Sequence, residues 1–386
     1  MIKDISISSV LNSRREKTIK VSIKTDKGIY KASSPSGKSI GKWEAKTRNI
    51  KSILKNFPKI KKNFIKKDER EVDKIIERMG INKIGANLSI ALSMASLRAI
   101  SKNKIYKFLN PSPKYFPYPL GNVIGGGAHR GYTSEQEFLV IPRKAKTMNE
   151  AIKTNYLIWK EVGRVLKSKK VSIGKNDEGA WMCKLNDIKT LDILSDVAED
   201  YGTKVGIDFA AYQIYKNGIY FYLHPKRKFS SEEQLDFVKD LIKTYKIFYV
   251  EDPFHQSDFK NFSELTRKVK CLICSDDLIG TQPSRLKIGI KKKAGNSVII
   301  KPDQAGTVSK TLKTIKIAKK SKFTTIVSHR SGETLDSFIS DLAVGTDSPL
   351  IKCGIYGKER ISKLNRLLKI WNSVKNPRMS KLKTFI

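Results

Sequence analysis

The chain has 386 residues, with 76 Lys and Arg against 37 Asp and Glu, a formal net charge of +39 and 39% hydrophobic residues. That length fits two domains, or one large barrel with an addition, and the apolar fraction suffices for a core of ordinary size. No run approaches the ~20 apolar residues needed to span a bilayer, and Met1-Ile2-Lys3-Asp4 lacks the apolar stretch of a signal peptide, so a cytoplasmic protein without a membrane span is expected.

From Ile2 to Lys31 the residues alternate loosely between apolar and polar, with the turn Asp26-Lys27-Gly28, which predicts an antiparallel sheet. The stretch Ser33 to Gly41 holds too many breakers to be an element. Helical spacing follows at Val72, Ile75, Ile76 and Met79. A second helix, Asn87 to Ser101, is apolar nearly all round and therefore buried. Pro111, Pro113, Pro117 and Pro119 mark a connector. Beyond it, β-rich runs alternate with helical stretches. The runs are Glu137–Ile141, Val205–Asp208, Ile247–Glu251, Leu272–Asp276, Ser297–Lys301 and Thr325–Ser328; the helices include 149–167, 231–244, 308–320 and 335–344. This alternation is the signature of a parallel βα barrel or open sheet. The fold class expected is α/β, with residues 1–120 as an N-terminal α+β cap and 121–386 as a TIM-type βα barrel.

Nucleic acid is the reflex partner for so basic a chain, because phosphate neutralisation by Lys and Arg drives that binding. Residues 41–70 carry eleven Lys or Arg against three acids, but further lysines are strewn over the whole chain. There is no basic helical stripe and no interleaved aromatic platform, so the charge is read as solvated surface and nucleic-acid association is not favoured. Cys271 and Cys274 form a CxxC, but within a strand-like run they point to opposite faces and neither bind a metal nor pair. Cys183 and Cys353 are isolated.

The predicted strands end in polar groups: Asp208, Glu251 and Asp276 (with Asp277 beside it), then Lys301, then His329 and Arg330. A barrel places all these tips on one rim. Three oxygen-only acids suit a hard cation such as Mg²⁺, although any single one could instead cap the following helix. Lys301 closes the apolar run Val298–Ile300; desolvation and nearby cations are expected to push its pKa down toward base function. Arg330 with Ser328 and Ser331 offers a planar cation and hydroxyls to a phosphate.

Ser328-His-Arg-Ser-Gly-Glu-Thr334 resembles the signature of the enolase family, and the resemblance runs end to end. Pro35-Ser-Gly-Lys-Ser-Ile-Gly41 resembles its mobile loop, Gly85-Ala-Asn87 its GAN helix start, Gln136-Glu-Phe138 its QEF and Asp177-Glu-Gly179 its GDEGG segment. Ser275-Asp-Asp-Leu278, Ile300-Lys301 with Gln304 and Gly306, Asp341–Val344 and Ile351-Lys352 resemble GDDL, IK-NQ-G, DLAV and IK-G. The resemblance implies a homodimeric glycolytic lyase that dehydrates 2-phosphoglycerate to phosphoenolpyruvate, reversibly. A lysine base working with magnesium is established for that superfamily. Carried over, Lys301 is the base and Glu178 the acid. Asp208, Glu251 and Asp276 hold the first Mg²⁺, and Ser39 helps hold a second that arrives with substrate. Arg330 and Ser331 grip the phosphate, Lys352 lies near the carboxylate, and His129, Gln136, Glu137 and His329 complete the pocket.

The departures surround the lid and the acid. Asn12-Ser-Arg-Arg-Glu-Lys-Thr18 stands where the family has DSRGNPT, and Lys38 and Ile40 occupy the mobile loop. Asn176 and Ala180 replace glycines, with Trp181 following, and Asp303 replaces an Asn. The loop after His129 and the stretch from Gly354 to Arg360 are each short by at least one residue. Two alternatives stand beside the lyase: a divergent enolase-like protein with a polyanion- or RNA-associated role, and another metal-dependent acid dehydratase on the same scaffold.

Overall fold

The computed structural model describes residues 1–38, 40–127 and 132–382. The chain opens with an antiparallel meander of β1 (Ile2–Leu11), β2 (Lys17–Thr25) and β3 (Gly28–Ser33), as its alternation predicts. Ile19, Val21 and Ile23 on one face of β2 are fully buried. The helix Ala86–Ser101 is indeed buried almost all round. Its serines reconcile that burial with polarity: Ser89 Oγ donates to Gly306 O at 2.6 Å, and Ser93 Oγ accepts from Val308 N at 2.8 Å. Cap and barrel are thus stitched through hydroxyls, since a buried polar group left without a partner is costly. A part-buried bidentate pair, Arg98 with Asp336 at 2.5 and 2.7 Å, adds a second tie.

Eight strands close the barrel: β4 (Tyr118–Gly125), β5 (Glu137–Ile141), then, after an outlying hairpin of β6 (Ser172–Lys175) and β7 (Trp181–Cys183), β8 (Lys204–Asp208), β9 (Tyr249–Glu251), β10 (Leu272–Ser275), β11 (Ser297–Ile300), β12 (Thr324–Ser328) and β13 (Leu350–Lys352). Closure is the parallel pairing of β13 with β4. One strand is reversed: β5 runs antiparallel to both β4 and β8. The first strand begins inside the proline-rich stretch read as a connector, so residue 120 falls within β4.

Period-two alternation divides each strand between two cores. Leu120, Leu139, Tyr249, Leu272, Cys274, Ile299, Ile326 and Leu350 fill the barrel interior. Val250, Ile273, Val298, Ile300, Val327 and Ile351 face outward against the helices. Each such aliphatic side chain contributes about 1.5–3 kcal/mol when fully buried. Cys271 and Cys274 fall into different cores, as strand geometry requires, and all four cysteines are buried and free. Among the described residues, no helix is long and apolar enough to cross a membrane.

Candidate active site

Strand register builds the floor of the site. Glu137 on β5 pairs with Asp208 on β8, which pairs with Glu251 on β9, so three carboxylates stand side by side across three strands. Lys352, ending β13, reaches them with its ammonium: 2.8 Å to Asp208, 2.8 Å to Glu251 and 3.1 Å to Glu137. All four side chains are nearly inaccessible. Burial, then the neighbouring Asp208, lifts the Glu251 carboxyl to about 7 in spite of Lys352. Glu137 is raised by burial as well. Tyr249 OH donates to Glu251 Oε2 at 2.6 Å and Gln136 Nε2 to Asp208 Oδ2 at 3.3 Å.

Asp276 lies one residue past β10. Its backbone N–H and that of Asp277 both donate to Asp252, at 2.9 and 2.7 Å. Oxygens of Asp252, Asp276 and Asp277 lie within 4.8 Å of one another. Asp276 contacts the Lys301 ammonium and accepts from Gln304 Nε2 at 3.0 Å. Burial acts to raise the Asp276 carboxyl, but Lys301, Gln304 and Arg330 outweigh it and its pKa is lowered. The expectation of a depressed Lys301 is corrected. Burial does push it down, yet the touching Asp276 carboxylate, with Glu251 behind it, raises its pKa. Oxygen-only acids suit a hard divalent cation; the close group is Asp252, Asp276 and Asp277, while Asp208 and Glu251 are gathered on the Lys352 ammonium.

The opposite wall is 328–332. Arg330 Nη1 is 2.8 Å from Glu44 and 2.9 Å from Asp303, both part-buried. Ser331 Oγ accepts from Arg14 Nη1 at 2.5 Å and from Lys38 N at 3.0 Å, while Arg360 Nη2 donates to Ser331 O at 2.8 Å. The loop before Gly41 is seated on this wall by a two-way backbone pairing, Ser36 N to Gly332 O at 2.8 Å and Gly332 N to Ser36 O at 2.9 Å. Glu178 enters from the β6–β7 loop; its Oε2 accepts from Asn122 Nδ2 at 3.1 Å and lies 3.8 Å from His329 Nε2. Burial, reinforced by Arg360, holds the imidazole well below its ordinary pKa and therefore neutral at pH 7.

Lys301, Glu178, Gln136, Glu137, Asp208, Asp276, His329, Arg330, Ser331 and Lys352 line a single pocket, with Glu251 behind its floor. His129 and Ser39 lie outside the described residues. Sequence reasoning passed over Glu44, Asp252 and Gln213, which line the same pocket. Glu44 sits just beyond the mobile-loop motif, and Asp252 directly follows a strand-tip acid, so adjacency was the signal available. Gln213 carries none.

A barrel whose mouth gathers acids, two lysines and an arginine under a cap-borne loop defines an enzyme acting on an anionic substrate. Two family models match the chain: "Enolase, N-terminal domain" over residues 2–109 and "Enolase, C-terminal TIM barrel domain" over residues 113–380. The enolase of Archaeoglobus fulgidus is 39% identical, covering 98% of this chain and 99% of that protein. The enolase of Methanosphaera stadtmanae is 38% identical over 99% of both. The enolase of Picrophilus torridus is 37% identical over 96% of this chain and 98% of its own. The chain belongs to the enolase family, and it is an enzyme of the carbon–oxygen lyase class, a phosphopyruvate hydratase.

Proposed function

We propose that the chain interconverts 2-phosphoglycerate and phosphoenolpyruvate by stepwise, reversible dehydration, as a cytoplasmic, homodimeric enzyme of glycolysis and gluconeogenesis. The observation that carries this is the meeting of Lys301, Glu178, Asp208, Asp276 and Arg330 in one pocket, in a chain matched end to end by enolases. Lys301 Nζ takes the C2 proton and the electron pair moves into the substrate carboxylate. Glu178 then gives its proton to the C3 hydroxyl, the C3–O bond breaks, water leaves and the C2–C3 double bond forms. Asp208, Glu251 and Asp276 would hold magnesium, and Ser39 would help hold a second ion. The metal supplies concentrated positive charge to a carboxylate that gains charge in the enolate.

Lys301 must be neutral to accept a proton, and with Asp276 engaged elsewhere it loses the partner that raises its pKa. Arg330 and Ser331 would grip the phosphate. Lys352 would face the substrate carboxylate, and His129, Gln136, Glu137 and His329 would complete the pocket. The loop carrying Lys38 excludes water when seated, which strengthens every charge interaction beneath it. We place the boundary between cap and catalytic domain in the proline-rich connector ahead of β4.

The test is formation of enol phosphate from 2-phosphoglycerate with and without Mg²⁺; folded protein that fails to turn over with metal present overturns the reading. Glu178→Gln is expected to keep exchanging the C2 proton with solvent while losing dehydration, and Lys301→Ala to lose both. Exchange persisting in Lys301→Ala would show that the base is another residue.

A further inference from the structure

The loop that carries Glu178 departs from the family pattern at Asn176, Ala180 and Trp181, and the stretch from Gly354 to Arg360 is shortened. In the folded chain these scattered departures meet. Trp181, Trp159 and Tyr356 form a stacked ladder, with Trp159 in the middle: its ring centroid is 5.0 Å from that of Trp181 and 4.6 Å from that of Tyr356, the latter rings only 10° from parallel. The Lys175 ammonium lies over the ladder, 4.0 Å from the Tyr356 centroid and 5.4 Å from those of both tryptophans. Trp159 comes from helix Met148–Ser168, Trp181 from the strand just after the acid, and Tyr356 from the segment following Lys352. The ladder therefore ties the acid loop to two other elements.

Its central ring also holds the loop directly. Trp159 Nε1 donates to Gly179 O, the carbonyl immediately after Glu178, at 2.9 Å. Trp181 Nε1 donates in turn to Trp159 O at 2.8 Å. Asn176 within the loop adds its Oδ1, which accepts from Glu178 N and Ala180 N, each at 3.0 Å, and from outside Arg360 Nη2 donates to Asp177 O at the longer distance of 3.4 Å. Gly179 has φ +82°, and a Cβ there would stand 2.3 Å from Tyr356 O, so the loop packs flush against the ladder.

We propose that Trp159 is a positioning residue for the proton donor: its indole N–H and its place in the ladder fix the peptide beside Glu178, and so set the reach of that carboxyl toward the leaving hydroxyl. The inference rests on Glu178 being the acid. Because Lys301 lies just past β11, apart from the ladder, loosening the ladder impairs departure of the hydroxyl and leaves removal of the C2 proton untouched.

The experiment compares two rates in the full-length Mg²⁺-loaded enzyme: dehydration of 2-phosphoglycerate, and C2 deuterium exchange in substrate recovered from D₂O. Trp159→Phe keeps a ring and removes the N–H. It is expected to slow dehydration about ten-fold, a fraction of the full effect of a general acid, while exchange stays within about two-fold of the parent. Equal falls in both rates, or no fall in either, overturn the proposal. If Trp159→Phe does not fold, Lys175→Met at the exposed edge reads the same device. There, a drop of about three-fold in dehydration alone supports it, in line with a partly exposed cation over aromatic rings, and a shared drop or none overturns it. Glu178→Gln run in parallel separates the two readings: if it still dehydrates, the assignment of the acid has failed, whatever Trp159 does.

Discussion

Arg330 is held between Glu44 at 2.8 Å and Asp303 at 2.9 Å, and the second of these acids stands where the family pattern has an amide. Burial, with Glu44 beside it, lifts the Asp303 carboxyl to about 6 against the pull of Arg330. Above that pH Asp303 is charged and, on the proposed role of Arg330, competes with the substrate phosphate for the guanidinium; below it the side chain is neutral and behaves as the amide would. Asp303→Asn is therefore expected to lower the KM for 2-phosphoglycerate about ten-fold at pH 8, a factor equal to one pKa unit of differential interaction. The gap should close as the pH falls through 6. Steady-state kinetics across that range check it, and a KM at pH 8 that is unchanged or higher in the variant contradicts the competition.

Among the elements, the loop before Gly41 depends on one residue without a side chain. A Cβ on Gly332 would lie 2.6 Å from both Asn12 Nδ2 and Ser36 Oγ and 2.8 Å from Ser36 O, so neither loop nor wall could keep its place. Gly332→Ala is expected to raise KM more than ten-fold, with a stability loss of about 1–3 kcal/mol from the forced shift; an unchanged KM in urea-stable protein would show that the seated loop does not bind substrate. The tie between cap and barrel makes a different prediction. Arg98→Met takes the guanidinium from a part-buried Asp336 that keeps the Ser33 and Phe338 N–H donors, and should cost about 1–3 kcal/mol by denaturant titration. Much of this was legible beforehand. The meander, the buried helix and six barrel strands follow from period and length, and the strand-tip acids from where apolar runs stop. The two strands that close the barrel were not legible. β4 is interrupted by Pro119, and β13, three residues long, is too short to show a period. The row of Glu137, Asp208 and Glu251 was visible only as separate acids, because register is a property of pairing and not of any one strand.

Over the whole molecule, the +39 charge sits on a chain whose substrate is proposed to be a polyanion. Such a field raises the local concentration of anions and is screened by salt with a Debye length of about 10 Å at 0.1 M. Raising the salt at fixed Mg²⁺ is expected to lower kcat/KM several-fold while kcat changes little; a parallel fall in both would place the effect at the chemical step instead.

The reversed strand β5 has a topological consequence of parity. A chain that descends the barrel wall in β5 and must ascend it again in β8 starts and finishes its connection at the same, closed end. One helix alone would leave it at the wrong end, so the connection is an excursion of two helices, Met148–Ser168 outward and Asp187–Asp200 back. Its far point has to be the open end, and the residue found there is Glu178. The proposed donor thus arrives from outside the wall while Lys301 arrives at a strand tip of it. Lengthening or reshaping that excursion shifts Glu178 without moving Lys301, so on the proposed roles one proton transfer is retuned apart from the other.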